Sequence, residues 1–83
     1  MKPGEIVKLN ESFESIPIWT EQYGLDKRNK WIRTPRRPEI VCYLKRGNVA
    51  LVIDLDATTG QALILIPPGQ TGWILDDALV GLR

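Results

Sequence analysis

A chain of 83 residues, 43% hydrophobic and 25% charged, is too apolar for a disordered tail and long enough for one domain with a thin core. It has no histidine and a single cysteine, Cys42, which excludes an internal disulfide framework, the usual zinc-site spacings and histidine as a general base. The net charge of +1 conceals an uneven distribution along the chain.

The opening Met1-Lys2-Pro3-Gly4-Glu5 lacks the apolar run and small-residue cleavage site of a signal peptide. The apolar stretch Ala62 to Ile66, which no other exceeds, is far short of the roughly 20 residues that span a membrane. A soluble protein with no membrane association is expected, and the lone cysteine fits a reducing compartment, the cytoplasm.

Glu5 to Leu9 alternates polar and apolar residues after a Pro-Gly turn and reads as the first strand. Residues 10–38 hold aromatic side chains and prolines at 17, 35 and 38, with no sustained period. They are expected to form a long loop insertion that is either functional or only partly ordered. One short helix over Glu21 to Asn29 is compatible with that segment, although Gly24 weakens it. Glu39 to Leu44 is rich in β-formers, and Lys45-Arg46-Gly47-Asn48 ends it. Val49 to Leu55 and Gln61 to Ile66 read as a hairpin around Asp56-Ala57-Thr58-Thr59-Gly60, with Gly60 placed for a positive φ. After Pro67-Pro68-Gly69-Gln70 come a strand over Thr71 to Leu75 and one helical turn over Asp77-Ala78-Leu79 capped by Asp76. A short final strand follows at Val80-Gly81-Leu82. The expected fold is all-β, a small antiparallel barrel of about five strands. Its expected core includes Val7, Val41, Leu51, Ile53, Ile64, Trp73 and Ile74.

The two hairpin strands are apolar on both faces for much of their length, unlike a half-exposed antiparallel pair. Either residues 10–38 cover the second face with Phe13, Ile16, Ile18 and Trp19, or another chain does, most simply in a homodimer.

Eight of the eleven basic residues lie between Lys27 and Arg46, where Glu39 is the sole acid; the segments on either side are each net negative by three. Lys27, Arg28, Lys30, Trp31, Arg33, Arg36 and Arg37 are therefore the candidate partner-binding residues, with Pro35 and Pro38 holding the arginines extended. Arginine and tryptophan are common anchors for an acidic protein surface. The same residues, with Tyr43 nearby, suit a phosphate backbone and a stacked base. A solvated loop paired with the upstream acids is the third reading.

Lys2-Pro3-Gly4-Glu5-Ile6-Val7-Lys8-Leu9 and Gly72-Trp73-Ile74-Leu75-Asp76-Asp77-Ala78-Leu79-Val80 resemble the opening strand and the closing Gly-Trp corner of SH3-like barrels. The layout is similar to that of small bacterial and phage SH3-like proteins. The resemblance covers residues 2–9 and 39–82 and implies a single SH3-like domain over 1–83. In it, 10–38 is an enlarged first loop of the RT type, and Val49–Ile66 fits the distal hairpin. The pattern departs from peptide-binding SH3 domains: no tyrosine follows the first strand, and Leu75 and Leu79 stand near the positions of the groove proline and tyrosine. Polyproline recognition is accordingly not implied.

No catalytic constellation is legible. Asp54 and Asp56 lack further metal ligands and read as a strand end, and Cys42 sits among apolar neighbours with no base. No glycine-rich phosphate loop occurs. The sequence points to a non-enzyme without cofactor or metal that binds a protein partner through the basic/aromatic loop or an apolar sheet face. A small nucleic-acid-binding accessory protein using residues 27–46 is the alternative.

Overall fold

The computed structural model describes residues 1–82. Seven strands form one open antiparallel sheet: β1 (Ile6–Leu9), β2 (Ser15–Trp19), β3 (Ile40–Lys45), β4 (Val49–Asp56), β5 (Gln61–Ile66), β6 (Gln70–Leu75) and β7 (Leu79–Gly81). Their order across the sheet is β3-β2-β6-β5-β4-β1-β7. One 3-10 turn, Asp76–Ala78, joins β6 to β7. No helix among the described residues is long and apolar enough to cross a membrane.

Local chemistry sets the turns. In the β4–β5 connection Asp56 Oδ1 accepts from the backbone N–H of Thr58 (3.0 Å) and Thr59 (3.2 Å). Gly60, at φ 73°, then closes the turn by donating to Asp56 O (2.8 Å). Between β3 and β4, the Asn48 side chain accepts from Lys45 N while Asn48 N donates to Lys45 O. The Asp76 N–H donates to Gly60 O (3.0 Å), so the 3-10 turn is tied to the β4–β5 loop. That turn starts at Asp76 itself. Leu75 occupies the cap position without a side-chain hydrogen bond, which corrects the expected Asp76 cap and helical turn over 77–79.

The long loop expected over 10–38 is shorter than the sequence suggests, and the strands number seven rather than about five. Ser15–Trp19 forms β2, paired with β3 from Ser15↔Lys45 to Trp19↔Ile40. Pro17 hid this strand, because proline ordinarily argues against an interior position. Here β2 meets its other neighbour, β6, only at Trp19↔Trp73, so the missing N–H costs little. The approach of β2 to β6 depends on Gly72, where a Cβ would strike Ile18 Cγ2 and lie 2.8 Å from Trp19 O. Residues 21–29 form no helix.

The core consists of Val7, Leu9, Ile18, Leu44, Ala50, Val52, Ala62, Ile64, Ile74, Ala78 and Leu79. Complete burial of a residue such as Ile18 or Ile64 contributes about 2 to 3 kcal/mol relative to exposure. Val7, Ile64 and Ile74 match expectation. Val41 and Trp73 are half-buried, whereas Leu51 and Ile53 face outward, 37% and 41% exposed. Register explains the reversal. Val7 pairs with Ala50 and Val52 with Ile64, so Ala50 and Val52 of β4 point inward. The concave side of a curved sheet is narrow, and Ala50, Val52 and Ala62 fit where two rows of larger side chains would crowd. A bulge between Val52 and Asp54 then places Asp54 opposite the outward Leu63, on the same side as Ile53. Residues 10–38 do not cover that outer face. Ile18 belongs to the core itself and Ile16 packs against it.

Candidate functional site

The segment between β2 and β3 begins at the stacked pair Trp19 and Tyr23, whose ring centroids are 4.3 Å apart with planes 12° from parallel. Gln61, only 2% exposed, holds this stack in place by donating its side-chain N–H to Tyr23 O (2.6 Å). A buried amide without that partner would cost on the order of 1–3 kcal/mol, so the contact fixes the path of the chain at Tyr23.

Beyond Tyr23 the chain turns back on itself. Leu25 bridges Trp31, and Ile32 N donates to Gly24 O (2.9 Å). The tip is organised by Asp26, whose Oδ1 accepts from Arg28 N (2.8 Å) and Lys30 N (3.0 Å). The Lys30 N–H does most to hold the Asp26 carboxyl below the usual aspartate range; desolvation, next in size, opposes it, and the Arg28 N–H and guanidinium, 3.6 Å away, add to the lowering. Asn29 adopts φ 62°, tolerable for asparagine in a tight turn. The result is a small hairpin with Lys27, Arg28 and Lys30 at its tip and Trp31 on its returning arm.

Trp31 is 68% exposed and meets the edge of Tyr23, centroids 6.3 Å apart at 70°. Trp19, Tyr23 and Trp31 thus form a continuous aromatic series from the sheet to the surface. Next to it is a groove of 320 Å³ lined by Phe13, Pro17, Trp19, Tyr23, Trp73 and Leu75, with Asp77 adding a carboxylate. Phe13 is placed by Arg46, whose Nε donates to Phe13 O (3.2 Å) while its backbone N–H donates to Glu14 O (2.8 Å).

The seven residues singled out from the sequence fall into separate local structures. Lys27, Arg28, Lys30 and Trp31 share the small hairpin, and the Lys27 stem packs over Gly60. Arg33 lines a different hollow, of 340 Å³, with Gln22, Asp56, Thr59 and Trp73. There Gln22 Nε2 donates to Asp56 Oδ2 (2.9 Å), which is the main reason the Asp56 carboxyl lies below its ordinary value. Arg36 and Arg37 are exposed further along, where Thr34 Oγ1 donates to Arg36 O (2.5 Å). Arg28 alone of the seven makes an ion pair among the described residues.

Sequence reasoning missed Trp19, Tyr23 and Trp73 as groove residues because an aromatic residue in or near a strand reads first as core. The available signal was their number: three large rings beside a thin core leave more aromatic surface than it can take in. Cys42 is half-buried, and desolvation pushes its thiol up, away from the reactive thiolate. Among the described residues no three histidine, cysteine or carboxylate side chains cluster as metal ligands do. Comparison with protein-family models, with curated proteins and with solved structures finds no match.

Proposed function

We propose that this chain is a non-catalytic protein-interaction module, built on an SH3-like barrel, that grips an extended segment of a partner protein. The observation that carries the reading is the 320 Å³ aromatic groove standing beside an exposed tryptophan and a basic turn. Ligand-binding depressions are mostly apolar with a few placed polar groups, and tryptophan is the commonest energetic anchor at protein interfaces. The partner segment has an apolar or aromatic residue for the groove and acidic residues near Lys27, Arg28 and Lys30, which steer its approach.

The barrel reading is supported by strand order. Without β2 and β3 the sheet runs β6-β5-β4-β1-β7, with a 3-10 turn before the last strand, which is similar to a five-stranded SH3-like layout. In that reading the first loop runs from residue 10 to 48 and carries β2 and β3 as its own hairpin. The β5–β6 turn then takes the distal position, and the Val49–Ile66 hairpin comes one step before it.

Recovery of partners from the native host, with and without nuclease, tests the reading when the intact chain is compared with Trp31→Ala and with Arg36→Ala/Arg37→Ala. A protein partner survives nuclease, and Trp31→Ala weakens it by about 2 kcal/mol or more, while the double arginine change mostly slows association. Loss of all recovery on nuclease treatment would instead establish the nucleic-acid alternative. In that case the arginine change lowers the salt dependence by about one unit of slope per lost phosphate contact.

A further inference from the structure

The outer face of β1, β4 and β5 carries apolar side chains that nothing among the described residues covers. Ile6 pairs with Leu51 and Leu51 with Leu65, so the three lie side by side across the strands. Val49 and Ile53 continue the row along β4, and Pro67 and Pro68 border a shallow depression of 330 Å³ beside it. Ile6, the most open of them, is 52% exposed. Contiguous apolar surface of this kind marks an interface more often than a bare monomer surface. We propose that this face is the interface of a symmetric homodimer in which β4 packs antiparallel over β4 of a second copy.

Charge selects both the occupant and its orientation. Lys8 lies beside Val49 at one end of the row, and Asp54 lies outward at the other end because of the bulge. A face with one positive and one negative end is complementary to itself under a two-fold rotation. When two sheets pack face to face as a symmetric pair, the two-fold axis lies in the interface, either along the strands or across them. An axis along the strands sets like end on like end and brings the two Asp54 carboxylates together, which is unfavourable. An axis across the strands sets Leu51 on Leu51 and Val49 on Ile53 of the second copy. It also sets Lys8 about one strand spacing, ~4.8 Å, to the side of the strand carrying the second copy's Asp54, so the two side chains face each other across the ~10 Å between the sheets. In the single chain Lys8 is 3.5 Å from exposed Glu11, a weak surface pair that does not prevent the exchange. The two sheets then form a sandwich with strands about 30° from alignment.

This dimer is independent of the aromatic groove, so either reading can fail alone. Sedimentation of the full chain across a concentration series measures it. The intact protein shows a monomer–dimer equilibrium, and Leu51→Gln or Ile6→Gln raises the dissociation constant at least about tenfold with an unchanged circular dichroism spectrum. Two variants at exposed positions guard against one that misfolds. Lys8→Glu and Asp54→Lys each weaken the dimer several-fold, and the two together restore it to within about threefold of the intact chain. A chain that stays monomeric to about 1 mM overturns the proposal, even if Leu51 proves necessary for holding some other protein. So does a dimer indifferent to Leu51 and Ile6. Failure of the paired charge reversal to restore association overturns the orientation.

Discussion

Gly72 shows how a single residue decides the architecture. Only a hydrogen in place of Cβ lets Ile18 and the Trp19 carbonyl approach β6, and that approach brings Trp19 beside Trp73 in the groove. Gly72→Ala is expected to cost about 1–3 kcal/mol in urea denaturation, the range for overpacking a closed site. Gly69→Ala is the control, since nothing lies within 4 Å of a Cβ there and it should change stability little. Asp56 gives a second residue-level expectation. Its folded-state pKa lies below the ordinary value of 3.8, chiefly through the Gln22 hydrogen bond. A depressed carboxylate contributes stability above its unfolded value, and that contribution is lost as pH falls through the folded one. The urea midpoint of the intact protein should therefore drop on acidification below about pH 4, and Asp56→Asn should show a shallower drop. An equal slope in both proteins would remove Asp56 from the account.

At the scale of elements, what could be read in the sequence followed the strength of local signals. The β4–β5 hairpin was legible because two apolar runs of β-formers flank a turn whose Asp56 and Gly60 carry their own chemistry. β2 was not, because Pro17 is a strand breaker except where one neighbour is nearly absent, and only the sheet order reveals that absence. The inward face of β4 was equally hidden. Ala50 and Val52 are less hydrophobic than Leu51 and Ile53, so composition favours the wrong side, and the choice is made by pairing with Val7 and Ile64. The reversal is measurable. Ile64→Ala should cost about 2–5 kcal/mol, while Ile53→Ala should cost under about 1 kcal/mol when measured in dilute protein. Comparable losses would return Ile53 to the core. The candidate basic/aromatic site was half legible: charge density along the chain marks Lys27 to Arg37, but the aromatic groove joins residues 13–24 with Gln61 and residues 73–78 and has no local signature.

For the whole molecule, the sheet and the basic hairpin are separable by construction. β1 at one end of the chain pairs with β4 and with β7 at the other end, so the core closes through contacts distant in sequence. By contrast, the hairpin carrying Lys27, Arg28, Lys30 and Trp31 leaves and rejoins at Gly24 and Ile32, already joined by a backbone hydrogen bond. None of its residues belongs to the buried core, and the Gln61 contact that fixes Tyr23 lies before it. Replacing residues 25–31 with a two-glycine link should therefore preserve the sheet. Stability should fall by no more than about 1–2 kcal/mol, from the loss of the Tyr23–Trp31 edge contact and the Lys27 stem over Gly60, with a shorter loop offsetting part of it. Circular dichroism should retain the β signature and a cooperative melt, while partner recovery from the host should fall as far as it does for Trp31→Ala. If the excised protein no longer folds, the hairpin is a structural clasp on the β4–β5 loop. If it folds and holds its partner undiminished, the ligand does not use the basic turn, and the aromatic groove alone carries the binding.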